Sequence, residues 1–134
     1  MTDAELIARA EEAMGLAYAP YSHFQVGAAL LCADGSVHTG CNIENAAYGP
    51  SVCAERVALF SAVRDGKRDF RKIAIVGGPD GKIRSFTHPC GVCRQVMREF
   101  CRDDFVILAY DGERAVSHTL AQLLPESFSP ADLA

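Results

Sequence analysis

The chain has no tryptophan, no long apolar run and no excess of positive charge. Its 13 Lys and Arg face 17 Asp and Glu, for a net charge of −4. Tight binding to a nucleic-acid backbone needs clustered cations, so no nucleic acid is expected as partner. Without an apolar run no helix is expected to cross a membrane. No signal peptide is expected either, because the N-terminus turns polar and acidic within its first few residues. The expected location is therefore cytoplasmic, where thiols stay reduced. No linker, low-complexity segment or internal repeat divides the chain, so residues 1–134 are expected to form a single domain. A domain of this length can bury about two-thirds of the surface its unfolded chain exposes.

These absences bear on the six cysteines. An even count permits disulfides, but a reducing compartment and a sizeable core favour free thiols. Cys53 is followed by Ala54-Glu55, and Cys90 and Cys93 lie in Pro89-Cys90-Gly91-Val92-Cys93. Residues i and i+3 in the first turn of a helix share one face, so both sulfurs of the pair can reach one ion. Helix N-termini favour thiolates. Three thiolates with no fourth protein ligand leave a zinc ion one position for water, as a catalytic site does. Glu55 is placed to move protons beside that water, and Arg56 and Arg94 follow the ligands closely enough to offset their charge. Spacing alone leaves a structural zinc or a redox pair open. Against these stand the missing fourth Cys or His, the absence of a Trp before the pair, and the otherwise idle Glu55. Cys32, Cys41 and Cys101 lack partner spacing and read as small buried hydrophobes.

Thr2-Asp3-Ala4-Glu5 predicts a helix start, with Leu6, Ile7, Ala10, Met14 and Ala17 on the core side and Pro20 as its stop. Gln25–Cys32 and Val37–Ile43 predict a hairpin around Asp34-Gly35, and the small Gly27, Ala28 and Ala29 predict a helix packed closely on it. Helices are expected over Cys53–Asp65, with Val57, Phe60, Val63 and several alanines available for burial, and over Cys90–Cys101. Phe70–Val76 and Phe105–Tyr110 read as buried strands, with Gly77–Gly81 as a loop. Ala115–His118 follows Asp111-Gly112 too closely for a crossover, so the last two strands should be antiparallel. Thr119 and Gln122 form another capping pattern before a short helix that Pro125 ends. The expected class is α/β, a three-layer α/β/α sandwich around a mixed five-stranded sheet.

The motifs taken together resemble the homotetrameric cytidine deaminases, from about Leu6 to Phe128. The matching stretches are Tyr18-Ala19-Pro20-Tyr21-Ser22, Phe24 to Leu30, Gly40 to Ala46, Cys53-Ala54-Glu55-Arg56, Pro89 to Gln95 and Leu123-Leu124-Pro125. The zinc motif alone marks a wider superfamily that includes nucleic-acid editors; Phe24 and Asn42-Ile43-Glu44 narrow it to free nucleosides. The resemblance implies one Zn²⁺ per subunit on Cys53, Cys90 and Cys93, with Glu55 as the catalytic proton shuttle. It implies that Phe24 packs on the pyrimidine, that Asn42 and Glu44 bond the ribose hydroxyls, and that the backbone at Ala54 reads the base. Tyr48 and Phe128 match positions that reach a neighbouring subunit's site. The implied reaction converts cytidine and 2′-deoxycytidine to uridine and 2′-deoxyuridine, with release of ammonia. A relative acting on a cytosine-bearing antibiotic nucleoside is the second reading. His88 matches no assigned role, and Gly49 to Val52 falls in a stretch that varies.

Overall fold

The structure is a computed structural model that describes residues 1–134. Helix α1 spans Asp3–Met14 and begins at the capping box of Thr2 and Glu5. Strands β1 (Phe24–Cys32) and β2 (Val37–Cys41) form the hairpin, and helix α2 follows over Ala54–Arg64. Strand β3 (Phe70–Pro79), helix α3 (Gly91–Phe100) and strand β4 (Val106–Tyr110) come next. Strand β5 (Ala115–Thr119), the short helix α4 (Leu120–Leu123) and a 3₁₀ turn at Pro130–Leu133 complete the chain.

The five strands form one sheet in the order β2-β1-β3-β4-β5. Only β3 and β4 pair in parallel, with α3 as the crossover between them. β4 and β5 are antiparallel, as the short connection requires. Because successive side chains of a strand point to opposite faces, the sheet has two cores. Ala28, Leu30, Ile73, Ile75 and Ile107 face α2 and α3. Ala29, Ala74, Val76 and Leu108 face Leu6, Ile7, Ala10 and Met14 of α1. The result is the expected three-layer sandwich.

Two glycines set how closely the layers approach. A Cβ on Gly27 would come within 2.0 Å of the Ala10 carbonyl oxygen in α1, and one on Gly40 within 2.5 Å of the Ala54 carbonyl oxygen in α2. The chain direction then brings the helix starts together. β2 and β3 both run antiparallel to β1, so they point the same way. The helices that follow them, α2 and α3, begin at the same end of the sheet.

Four expectations are corrected. Helix α1 ends at Met14, well before Pro20, in overlapping three-residue turns in which Gly15, Leu16 and Ala17 donate to the Glu12, Ala13 and Met14 carbonyls. Gly77, Gly78 and Pro79 are not a loop but the end of β3, paired with Val26, Gln25 and Phe24. β2 stops at Cys41, and Ile43 makes only isolated bridges to Tyr18 and Val52. Phe60 is exposed, because α2 packs on the sheet through Leu59 and the expected alanines, Ala54, Ala58 and Ala62.

Candidate active site

Cys53 is the N-cap of α2 and Cys90 the N-cap of α3, both with extended backbone and neither using its sulfur to cap the helix. Cys93 lies in the first turn of α3. The Cys53 and Cys90 sulfurs are 3.9 Å apart, the Cys90 and Cys93 sulfurs 3.5 Å, and all three lie within 4.8 Å of one another. Sulfurs bound to one tetrahedral zinc at about 2.3 Å are about 3.8 Å from each other, so the group fits the ion almost as it stands. No further His, Cys, Asp or Glu joins the cluster. Three soft donors and one open coordination position suit zinc with room for a small molecule.

The thiols share their protons unevenly. A hydrogen bond from Cys93, and then bonds from Arg56 and Cys90, hold Cys53 down at about 5 against the opposing effect of burial. The same bond to Cys53, together with burial, pushes Cys93 far above the usual thiol range. An Arg56 amino group lies 3.5 Å from the Cys53 sulfur. The dipoles of two helix starts add to this positive surrounding.

Glu55, one residue into α2 from Ala54, is only 3 % exposed. Burial pushes its carboxyl up to about 7, and the nearby Cys53 charge adds to the rise. It lines an open cleft of about 340 Å³ together with Cys53, Ala54, Arg56, Cys90, His88, Asn42, Glu44, Val26, Ser51 and Val52. That volume is at the lower end of small-ligand sites.

Two polar side chains of the cleft, Asn42 and Glu44, are already fixed. The Asn42 amide oxygen accepts from the Val26 N–H at 2.8 Å, and its nitrogen donates to the Phe24 carbonyl at 2.8 Å. Glu44 Oε1 accepts the Tyr21 and Ser22 N–H groups at 3.0 and 3.1 Å. A second cavity of about 300 Å³ adjoins it, lined by Tyr21, Ser22, Glu44, Tyr48 and Ser51.

The model for the cytidine and deoxycytidylate deaminase zinc-binding region matches residues 1–109. The chain belongs to this family. A cytidine deaminase of Sporosarcina psychrophila is 46 % identical over 130 residues, covering 96 % of this chain and 93 % of that one. A crystal structure of cytidine deaminase from Burkholderia pseudomallei superposes with a TM-score of 0.88 at 44 % identity, covering 96 % of this chain and all of the other. A blasticidin-S deaminase of Bacillus cereus is 33 % identical, over 95 % of this chain and 92 % of its own length. Zinc is the family's metal, and the cysteine cluster is placed to bind it.

The remaining residues to which the resemblance gave roles stand at different distances from the cleft. Phe24 opens β1 and is tied to Asn42 through its backbone carbonyl, but it is not among the residues lining the cleft and is about two-fifths exposed. Tyr48 borders the adjoining cavity, is largely exposed and has a left-handed backbone (φ 61°). Phe128 is exposed outside both cavities, its carbonyl accepting from the Gln95 side chain. Arg94 makes no bond to a sulfur, unlike Arg56. It donates to the Pro89 carbonyl at 2.7 Å and the Leu123 carbonyl at 2.8 Å, bracing the residue before Cys90. Val26, Ser51, Val52 and His88 line the cleft as well, Ser51 and Val52 from the variable stretch expected at its rim and none of the four with a role from the resemblance. No spacing rule reaches them, because strand pairing and the approach to α3 put them there.

Proposed function

We propose that the chain is a zinc hydrolase that deaminates cytidine and 2′-deoxycytidine, yielding uridine or 2′-deoxyuridine and ammonia, a step of pyrimidine salvage. One observation carries the reading. A three-thiolate cluster of zinc-binding dimensions and a buried carboxyl with a pKa raised to about 7 share one nucleoside-sized cleft.

Cys53, Cys90 and Cys93 hold the metal. Zinc bound there supplies Lewis-acid chemistry that lowers the pKa of a water toward neutrality. Glu55 accepts a proton from the water that attacks C4 of cytosine and delivers it to N3. As the C4–N bond breaks, Glu55 takes the proton of the new C4 hydroxyl and hands it to the departing amine, which leaves the C4 carbonyl of uridine behind. Burial at the start of α2 raises the Glu55 carboxyl above the ordinary carboxylate range, which suits a group that must both accept and return a proton. Arg56 offsets the thiolate charge directly, and Arg94 steadies Cys90 through Pro89. Phe24 packs on the pyrimidine, the backbone at Ala54 reads the base's polar edge, and Asn42 and Glu44 bond the ribose hydroxyls.

Residues 1–134 act as one domain in this reading, in a homotetramer whose sites Tyr48 and Phe128 of neighbouring subunits complete. The exposure of both aromatic residues, Tyr48 at the adjoining cavity and Phe128 outside it, supports that assembly. A cytoplasmic location fits six free cysteines.

Zinc content and ammonia release from cytidine test the function together. Stoichiometric zinc with no turnover of any cytosine nucleoside would overturn it. Glu55→Gln should keep the metal and lose nearly all turnover; an active variant would remove Glu55 from its role. The similarity to a blasticidin-S deaminase supports a second reading, an antibiotic nucleoside as substrate, and a higher kcat/KM for blasticidin S than for cytidine would favour it.

A further inference from the structure

One hydroxyl joins two residues that the proposed function assigns to the sugar and the base, Glu44 and Phe24. Ser22 lies in the loop between α1 and β1, exposed and outside both cores. Its Oγ donates to Glu44 Oε2, and its backbone N–H donates to Glu44 Oε1 at 3.1 Å. The same Oγ accepts the Phe24 N–H at 3.0 Å. A serine hydroxyl has one proton and two lone pairs. The proton goes to Glu44 and one lone pair to the backbone of Phe24, so the hydroxyl is oriented from both sides.

The surrounding loop holds Ser22 in place. Tyr18 donates to the Asn42 carbonyl at 2.9 Å and accepts from the Glu44 N–H at 2.9 Å. His23, between Ser22 and Phe24, has a left-handed backbone (φ 57°). Its N–H donates to the Ala19 carbonyl and its carbonyl accepts the Asp80 N–H at 2.7 Å. A non-glycine residue stays in that conformation only where neighbours over-determine it. Glu44 is anchored from this loop alone. The Tyr21 and Ser22 N–H groups fill Oε1, and Ser22 Oγ takes one lone pair of Oε2. What remains on Oε2 can face the cleft. The hydrogen bond from Ser22 is also the largest influence holding the Glu44 carboxyl below its usual range.

We propose that Ser22 is a positioning residue that sets Glu44 and Phe24 by a single hydroxyl, so that selection for a hydroxyl-bearing sugar depends on a side chain that need not touch the nucleoside. The proposal rests on the reading above that Glu44 and Phe24 contact the sugar and the base. A carboxylate held by three donors has lost its rotamer freedom before substrate arrives, which lowers the cost of binding. Without Oγ, Glu44 keeps its two backbone donors but loses the one that fixes Oε2.

The test compares cytidine with 2′,3′-dideoxycytidine, which keeps the base and the 5′-hydroxyl. Ser22→Ala should raise KM for cytidine about tenfold, the loss of one charge-assisted hydrogen bond, with kcat changed less than about threefold. The preference for cytidine over the dideoxy substrate should shrink by the same factor, and Ser22→Thr should restore it. In a Glu44→Gln background Ser22→Ala should shrink the preference no further, since a residue acting through another adds nothing once that other is gone. Should Ser22→Ala melt well below the wild type, Ser22→Cys, similar in size with a much weaker donor, carries the same readout. An unchanged preference in Ser22→Ala, a loss confined to kcat, or full additivity with Glu44→Gln would overturn the proposal. A wild-type enzyme indifferent to the two nucleosides, or a Glu44→Gln variant with intact preference, would instead overturn the sugar-binding role of Glu44.

Discussion

Gly40 lies directly beneath the start of α2, where a Cβ would come within 2.5 Å of both the Ala54 carbonyl oxygen and the Ala58 nitrogen. Both contacts are backbone and cannot swing away. Gly40→Ala should therefore shift the turn that carries Cys53, Ala54 and Glu55. The expected outcome is a loss of about 1–3 kcal/mol of stability, with zinc content and turnover reduced together. Gly49→Ala, with nothing within 4 Å of its Cβ, is the control and should be close to neutral. Thermal melts and metal analysis of the two variants check this; a Gly40→Ala enzyme with full zinc and full activity would refute it.

Asn42 is committed to the backbone of β1 at both ends of its amide. Asn42→Ala removes the acceptor of the part-buried Val26 N–H and the donor to the Phe24 carbonyl. An unpaired buried donor costs about 1–3 kcal/mol. The loss should appear both as lower stability and as a higher KM for cytidine, whereas a residue that only touched the sugar would change KM alone. Urea melts read beside the kinetics separate the two.

Zinc removal should loosen the molecule as well as inactivate it. Cys53 and Cys90 are 37 positions apart and begin different helices, so the ion ties α2 to α3. A ligand at a hundredfold excess over its Kd adds about 2.7 kcal/mol to stability. Chelation should lower the melting temperature, free zinc should restore it in a concentration-dependent way, and the number of thiols reacting with a disulfide reagent should rise. A melting temperature that ignored zinc would place the metal elsewhere.

Glu55 gives the metal-free protein a signature in pH. Burial raises its folded pKa from 4.5 to about 7. The stability tied to the neutral carboxyl is therefore fully present below about 4.5 and is lost as pH rises through about 7. The total is on the order of 3 kcal/mol. In chelator, urea melts at about pH 5 and about pH 7.5 should show Glu55→Gln gaining stability relative to the wild type as pH rises, because the depressed Cys53 thiol acts in the opposite direction in both proteins and cancels from the comparison. Equal slopes in both proteins would mean that Glu55 is better solvated than its burial indicates.

The fold and the metal cluster could be read largely from local chemistry. The capping residues at Thr2 and Thr119 form the caps they predict, and the short connection after Tyr110 forces the antiparallel end of the sheet. The i, i+3 spacing of Cys90 and Cys93 puts both sulfurs on one side of a helix start. Other features depend on contacts between distant segments. Gly77-Gly78-Pro79 has the residues of a loop, yet pairing with β1 draws it into a strand. Phe60 has the residue type of a core position, but alanines bring α2 so near the sheet that its bulk faces outward. Arg94 stands next to a ligand and reaches the Leu123 carbonyl, 29 positions away. Ser22 finds its carboxylate partner 22 positions on, a distance that no local pattern encodes.

The two faces of the sheet fail in different ways. Cys53, Ala54, Glu55, Cys90 and Cys93 all ride on α2 and α3, while Leu6, Ile7, Ala10 and Met14 of α1, with Ile83 packed beside them, cover the other side. Leu6→Ala should cost about 2–5 kcal/mol, yet each molecule that remains folded should keep the wild-type kcat and KM. Damage on the α1 side would reach a cell as scarcity of enzyme, and damage on the other side as a normal quantity of poor enzyme. An assay normalised to folded, zinc-loaded protein would tell the two apart for any variant of this chain.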